Sequence, residues 1–367
     1  MKILYYFKDR NTPMYQWQHV HIFDELSRHD IEITVHNPLK FSSIEEANDR
    51  LLQLVSATKF DLFMTPHNEK DLYLSTLSEI KKKGIPTLLI CFDSLTIPFF
   101  HKNIASSFDL VWLTSIETKY LFDKWKANSI FLPYAANPYI SAANTLENDE
   151  NRILFIGTPY GSRADMINKL LQADLPVTLV TNMTPSTSAK KSQPILKRYA
   201  TPIESTYNLL AYPIGRKLLW ASIKNKILRQ SVLDLNNRNL LRHPSIEFDE
   251  MKEWYKRYSL SLSSIANKHT GILKNPVPVI NLRSFEIPSS GGVLFSAYTP
   301  ELAGYFEEGK EAIYYHDNDD MIDKARFYLK DDNMNLRNKI KKQAAFKAAG
   351  EHTWYTRFNK IFQELGI

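Results

Sequence analysis

Val279-Ile280-Asn281-Leu282-Arg283-Ser284-Phe285-Glu286-Ile287-Pro288-Ser289-Ser290-Gly291-Gly292-Val293-Leu294-Phe295 reads as a short helix starting near Arg283, a turn of small residues, and a β-strand. Gly291-Gly292 stops the helix and lets the backbone turn tightly before the apolar run resumes. A helix that feeds directly into an apolar strand is the step from which parallel α/β sheets are built. The same stretch carries chemistry. The start of a helix presents free N–H groups and a positive dipole end to an anion, and Arg283 adds a forked donor suited to phosphate oxygens. Glu286, about one turn further on, can accept two hydroxyl hydrogen bonds of the kind a ribose diol offers. Two blander readings stand beside these: Gly-Gly before a strand commonly marks only a turn, and Arg283 with Glu286 also reads as a surface ion pair.

The alternation continues in both directions. Upstream, strands are expected at 260–264, 177–181 and 152–157, the last running into Gly157-Thr158-Pro159-Tyr160-Gly161 and a helix over 162–173. Helices are also expected over 248–256, 285–289, 300–306, 319–329 and 334–349, with strands at 293–296 and 312–315, and 353–365 has its own helical period. The first 135 residues repeat the pattern, with strands at 2–7, 31–35, 62–65, 87–91, 110–114 and 129–132. Helices over 17–28, 44–57, 70–83 and 115–126 separate them, and Gly84-Ile85-Pro86 ends one helix and launches the next strand. Leu132-Pro133-Tyr134-Ala135-Ala136-Asn137-Pro138 then leads into a polar stretch ending near Asn151.

The expected architecture is α/β, two Rossmann-like domains facing a central cleft. The first domain is expected over 1–136, a linker over 137–151, the second domain over 152–350, and a C-terminal helix over 351–367 that crosses back to the first. Ligands of open parallel sheets bind outside the carboxyl ends of the strands. The fold alone admits binding proteins, epimerases and transferases.

Composition narrows the class. Of 367 residues, 44% are hydrophobic and 12% aromatic, enough for two buried cores. The single cysteine, Cys91, excludes a disulfide framework and a cysteine-ligated metal site, and fits a reducing compartment. No apolar run approaches the length of a membrane-spanning helix. Met1-Lys2-Ile3-Leu4-Tyr5-Tyr6-Phe7 meets charge at Lys8-Asp9-Arg10, which is too short for a signal-peptide core and reads as a strand. A cytoplasmic protein is expected.

The net charge of +6 is unevenly spread. Between Lys190 and Arg242 stand eleven Lys and Arg against only Glu204 and Asp234, so this segment is strongly cationic and the remainder slightly anionic. It is read as a basic insertion over 189–243. Within it Leu219, Trp220, Ile223 and Ile227 share one face of a helical period, with Lys217 and Lys224 roughly opposite. Arg216, Lys217, Trp220 and Lys224 are candidates for contact with an anionic membrane surface. The alternative is an insertion whose apolar face packs on its own domain. No recognised motif accompanies the charge, so a nucleic-acid partner is not expected.

Around the opening stretch the sequence resembles the GT-B glycosyltransferases of group 1, specifically their CgeB-like, spore-maturation-like branch. Residues 281–292 carry the resemblance. Phe306-Glu307-Glu308-Gly309-Lys310-Glu311-Ala312-Ile313-Tyr314-Tyr315 continues it, as does the tail Glu351-His352-Thr353-Trp354-Tyr355-Thr356-Arg357. Leu154-Phe155-Ile156-Gly157-Thr158-Pro159-Tyr160-Gly161-Ser162-Arg163 is similar to the strand and turn that open the donor domain, and 132–138 to the hinge entry. The resemblance implies a GT-B fold and sugar transfer from a nucleotide-diphosphate donor. It implies that Glu286 holds the nucleotide ribose. It implies that Arg283 and the backbone of Ser289, Ser290, Gly291 and Gly292 serve the nucleotide and its diphosphate, with Gly157 and Arg163 at the same pocket. Lys268, in the loop after the strand at 260–264, is a further phosphate candidate, or else a solvated loop lysine.

The sequence departs from the group 1 pattern twice. Pro278 stands about eight residues before Glu286, where that pattern has a second, sugar-contacting glutamate. Asp9-Arg10-Asn11-Thr12-Pro13-Met14 stands where a glycine-rich loop would follow the first strand.

Transfer between sugars needs charge stabilisation on the leaving diphosphate and deprotonation of the acceptor hydroxyl. Cationic side chains can do the first without a metal. Asp317-Asn318-Asp319-Asp320 is the nearest approach to a metal motif, and it reads as a helix cap. For the second task Asp93, at the end of the expected strand 87–91, is the leading candidate base, although an Asp there can also cap the next helix. His19, His21, His67 and His101 are alternatives. The expected protein is a metal-independent glycosyltransferase with no cofactor beyond its nucleotide-sugar donor, and the resemblance implies that it retains the anomeric configuration. Its expected acceptor is a glycan or a lipid-linked acceptor in bacterial surface polysaccharide or glycan synthesis, reached from the inner face of the membrane. Two other classes stay open: a non-catalytic nucleotide-sugar-binding morphogenetic protein, and a GT-B-like nucleotide-sugar epimerase.

Overall fold

In each half of the chain the short apolar runs lie side by side as a six-stranded, wholly parallel sheet. The structure, a computed structural model, describes residues 1–10, 12–140, 150–182, 202–228, 232–267 and 269–367. The first sheet contains β1 (Lys2–Tyr6), β2 (Glu32–His36), β3 (Leu62–Thr65), β4 (Thr87–Cys91), β5 (Leu110–Leu113) and β6 (Ser129–Phe131). Their spatial order is β2-β1-β3-β4-β5-β6. The second contains β7 (Glu150–Ile156), β8 (Val177–Val180), β9 (Leu240–His243), β10 (Tyr258–Ser263), β11 (Leu294–Ala297) and β12 (Ile313–Tyr315), in the order β12-β11-β10-β7-β8-β9.

Every residue of β3, β4, β5, β8 and β10 is buried. That is the signature of central parallel strands covered by helices on both faces, and it explains why these strands read as continuous apolar runs rather than alternating ones. In the second sheet Ile153, Phe155, Val177, Leu179, Leu260, Leu262 and Phe295 pack with Ile167 and Leu170 of helix Ser162–Gln172 and with Met321 and Ala325 of helix Asn318–Tyr328. Asp317 caps the latter helix, its carboxylate accepting from Asp319 N at 3.0 Å and Asp320 N at 2.9 Å, so the acidic run 317–320 does what its position suggests.

The chain divides into two units, Met1–Asn137 with Thr353–Ile367, and Pro138–His352. The return of the last helix to the first unit is as expected, and the anchor is polar. Glu25, fully buried, accepts from Trp354 N at 3.0 Å and Tyr355 N at 2.9 Å at the start of helix Trp354–Leu365. Those are N–H groups that a helix leaves without internal partners. Burial pushes the Glu25 carboxyl up to about 7, against the opposing pull of those hydrogen bonds. The His29 ring stacks on Tyr355 at 3.5 Å.

Two elements differ from the sequence reading. The helix expected over 17–28 begins at Pro13 and widens into a π-type turn over His19–Phe23 before Asp24–Ser27. The segment read as a single basic insertion over 189–243 ends in β9, which pairs with β8 from Val177↔Leu240 to Val180↔His243. Leu240-Leu241-Arg242-His243 lacks the continuous apolar run of the central strands, because it is an edge strand, paired on one side only, and no residue of β9 is buried. Helices Pro202–Leu210 and Pro213–Leu228 precede it. Lys190, Lys191, Lys197, Arg198 and Arg229 lie outside the described residues.

Candidate functional site

In the second sheet the connections run outward in opposite directions from β7 and β10, which makes the crevice at their carboxyl ends the topological switch point. Residues from both strand ends and two helices meet there. Gly157 follows β7 at φ +137°, and a Cβ at this position would lie 3.0 Å from Arg283 Nη2. A side chain would therefore be strained by the backbone and would displace the guanidinium. Gly161 then leads into helix Ser162–Gln172, whose first turn carries Arg163. The Arg163 guanidinium lies 4.6 Å from the centroid of the Tyr160 ring, and its Nη1 donates to Thr158 O at 3.4 Å. Burial lowers its pKa, Tyr160 partly offsets that, and the neighbouring charge of Arg283 lowers it again. Two guanidinium groups are thus held within each other's field.

Arg283 opens helix Arg283–Ser289. The amides at that helix start are already used. Arg283 N donates to Asn281 Oδ1 at 3.0 Å, Ser284 N to Asn281 O at 3.0 Å, and Phe285 N and Glu286 N to Leu282 O at 3.0 and 2.9 Å. The expectation of free N–H groups aimed at an anion is corrected accordingly: the donor left over is a side chain. Arg283 Nε is buried and, among the described residues, has no hydrogen-bond partner, a costly condition for a cationic donor unless a ligand anion completes it.

Ser290 N, Gly291 N and Gly292 N likewise donate to Glu286 O, Pro288 O and Ile287 O, each at 2.9 Å. Ser290 is the helix C-cap, and Gly291 sits at φ +72°. The amides of 290–292 therefore close the helix, which corrects their expected part in cradling a diphosphate. A Cβ on Gly292 would lie 2.9 Å from Tyr255 O, so this turn presses against helix Phe248–Arg257. Ser289 ends helix Arg283–Ser289 and is half-buried.

Glu286 is buried, and beside it lies a residue that the sequence reading passed over. Tyr255 is buried, and its phenol pKa is pushed up by burial first and then by the Glu286 charge, with Arg283 acting in the opposite sense. Tyr255 belongs to an ordinary amphipathic helix, and no spacing singles it out. Gly157, Arg163, Arg283 and Glu286 are thus gathered with Tyr255, while Lys268 lies outside the described residues. The loop around it starts at Asn267, whose N donates to Val277 O at 2.8 Å. Its Gly271 abuts the Ser162 side chain at the start of the Arg163 helix.

In the first unit Asp93 follows β4, exposed, with φ +56°. That left-handed conformation is uncommon outside glycine, though Asp is among the residues that tolerate it. Its carbonyl accepts from Thr96 N at 2.9 Å, so the backbone starts a turn there. Three of the four candidate histidines are committed to packing. His21 Nδ1 accepts from Asn137 N at 3.3 Å. His101 is buried, bonds Pro66 O through Nε2 at 3.0 Å, and is pushed down to about 4 by burial. His67 accepts from Lys8 N at 2.9 Å, and its Nδ1 lies 3.2 Å from an Asp71 carboxylate that also pairs with the Lys8 ammonium. This cluster joins the carboxyl ends of β1 and β3, the switch point of the first sheet. Only His19 differs, half-exposed and 2.9 Å from Asp9 through Nε2. Among the described residues no group of three or more His, Cys, Asp or Glu is placed to hold a metal ion, and no helix is long and apolar enough to cross a membrane.

Arg216, Lys217, Trp220 and Lys224 lie on helix Pro213–Leu228. Trp220, Arg216 and Lys217 are exposed. Lys224 is instead half-buried, its Nζ donating to Ile272 O at 3.2 Å. It is an internal tie within the second unit, which corrects its expected place in a membrane contact.

Comparison with known proteins agrees with this topology. Residues 217–363 match the family described as glycosyl transferase-like. A crystal structure of Anabaena HepE in complex with UDP and glucose superposes with a TM-score of 0.56 at 13% identity, over 100% of this chain and 99% of that one. A glycosyltransferase from Rickettsia africae gives 0.57 at 13% identity, covering 99% and 98%. Sucrose-phosphate synthase from Thermosynechococcus elongatus gives 0.53 at 9% identity, covering 100% and 99%. No curated protein sequence matches the chain. Two doubly wound parallel sheets, a final helix returned to the first unit and these likenesses agree: the chain has the GT-B fold, and its residues 217–363 are similar to the glycosyl transferase-like family.

Proposed function

We propose that the protein is a glycosyltransferase that binds a nucleoside-diphosphate sugar in its second unit and passes the sugar to a hydroxyl of a glycan or lipid-linked acceptor. The observation that carries this reading is the closeness of Arg163 to Arg283 at the switch point, with the buried Arg283 Nε lacking a hydrogen-bond partner among the described residues. Two adjacent cations that the fold leaves incompletely neutralised suit a diphosphate, before transfer and as the leaving group after it. Glu286 beside them supplies a carboxylate acceptor for the ribose hydroxyls. HepE of Anabaena, with the same fold, has been crystallised with UDP-glucose, which supports a nucleotide sugar as the donor class.

In this proposal the two guanidinium groups supply the positive charge that a divalent ion would otherwise bring, and the anomeric configuration is retained. Asp93 takes the acceptor proton. Surface polysaccharide or glycan synthesis is the setting proposed for the reaction. The test is calorimetric titration with UDP, GDP, CDP and TDP. One diphosphate is expected to bind selectively and to bind about tenfold or more weakly to Glu286→Ala, which loses the hydroxyl contacts. Absence of binding by all four would remove the donor site. Binding without turnover across a panel of acceptors would favour a non-catalytic sugar-nucleotide binder, and conversion of the sugar with no acceptor present would favour an epimerase.

A further inference from the structure

Helix Pro213–Leu228 is apolar on two opposite faces. Leu218 and Ala221 point inward and are buried. At the complementary helical positions Trp220, Ile223 and Ile227 are 58%, 42% and 71% exposed. Spaced by three and four residues, they form one outward stripe. A helix apolar all round is normally enclosed by protein, and here the described residues leave one face open. The preceding helix Pro202–Leu210 adds Tyr207 and Leu210, both exposed. The sequence alternative, an insertion packed on its own domain by this stripe, does not describe the observed helix, whose inward packing uses Leu218 and Ala221.

The charge around the stripe says what covers it. Helix Pro213–Leu228 contains Arg216, Lys217, Lys224 and Lys226 and no acidic residue. At about 100° per residue, Lys217 falls on one side of the stripe and Lys226 on the other, while Arg216 falls within it; all three are exposed. We propose that this helix docks the second unit on an anionic lipid bilayer, with Trp220, Ile223 and Ile227 at the acyl boundary and Arg216, Lys217 and Lys226 among the headgroups. An indole buries its apolar body while its N–H stays hydrated, which suits that depth. A second copy of the chain meeting the same face would bring these cations opposite themselves, since a twofold contact is made of one patch twice. A nucleic-acid duplex would match the cations but not the three apolar side chains between them.

The proposal extends to the donor site through one contact and does not depend on the function proposed for it. Lys224 Nζ, bonded to Ile272 O, ties the docking helix to the loop whose Gly271 abuts Ser162, one residue before Arg163.

Sedimentation with phosphatidylcholine vesicles, with and without about 30% phosphatidylglycerol, tests the idea at low and high salt. Wild type is expected to partition to the anionic vesicles at low salt and to be released as salt rises. Lys217→Gln with Lys226→Gln is expected to lower the partition coefficient about 30-fold, and Trp220→Ala with Ile227→Ser at least tenfold. Both double variants are expected to keep the wild-type melting temperature and diphosphate binding. Trp220 gives a readout in the wild-type chain: its emission should be quenched by brominated lipid, and Trp220→Phe should remove that quenching. The proposal is overturned if wild type ignores anionic vesicles, if the variants bind them as well as wild type does, or if brominated lipid leaves the emission unchanged. It is also overturned if Trp220→Ala with Ile227→Ser abolishes a concentration-dependent dimer instead, or if the face binds duplex nucleic acid and not vesicles.

Discussion

Gly157→Ala separates the part of the donor site built by backbone from the part built by charge. The wild-type backbone holds φ +137° there, and an L-residue forced into such a region costs about 1–3 kcal/mol. The new methyl would also lie 3.0 Å from Arg283 Nη2 and 3.6 Å from its Cζ, well inside van der Waals contact with a guanidinium, so Arg283 must move. A charge-assisted hydrogen bond contributes about 1.5–3 kcal/mol, so moving this donor off a diphosphate is expected to weaken binding about ten- to a hundredfold. Gly309→Ala is the matched control. Gly309 has φ +75° with no atom within 4 Å of its Cβ position, and it precedes β12 at the amino edge of the same sheet, away from the strand carboxyl ends. Both variants should lower the melting temperature, by about 2–4 °C for each kcal/mol of strain in a unit of this size. Only Gly157→Ala should weaken the diphosphate in a calorimetric titration. Equal melting losses with wild-type affinity in Gly157→Ala would show that Arg283 is not a ligand of the diphosphate.

Further outcomes follow from the first unit. Asp93→Asn keeps a residue that tolerates φ +56°, so stability and diphosphate affinity should stay near wild type while turnover falls about 10²- to 10⁴-fold. Undiminished turnover would exclude Asp93 as the base and move attention to His19, held at 2.9 Å by Asp9. Glu25 titrates near 7 when folded, against 4.5 for the ordinary carboxyl. A raised carboxyl pKa adds stability that is fully present below the ordinary value and is lost as pH rises through the folded one. Wild type should therefore lose about 2–3 kcal/mol between pH 5 and pH 8 that Glu25→Gln does not lose. Parallel melting curves against pH for the two proteins would contradict that assignment.

Local information determined much of this protein. Strands β3, β4 and β5 stand close to where their apolar runs place them, because a parallel strand buried on both faces has little other reading. Helix Ile44–Ala57 begins one residue after Ser43, whose hydroxyl accepts from Glu46 N at 3.1 Å, a cap written in the sequence. Residues 281–292 pointed to the fold through their resemblance to a family, in which one short segment stands for a whole arrangement.

Other features exist only once distant segments meet. β9 carries no pattern of its own, because its partner β8 alone makes it a strand. The amides of 283–286 and 290–292 looked available in sequence and are consumed by hydrogen bonds whose geometry no spacing reveals. Tyr255 joins Arg283 and Glu286 because helix Phe248–Arg257 packs beneath the turn at Gly292. Helical periodicity likewise gave Trp220, Ile223 and Ile227 a common face but not a direction. Which of two apolar faces is buried depends on the surface the helix packs against, and in the structure Leu218 and Ala221 take that place and leave the other stripe exposed.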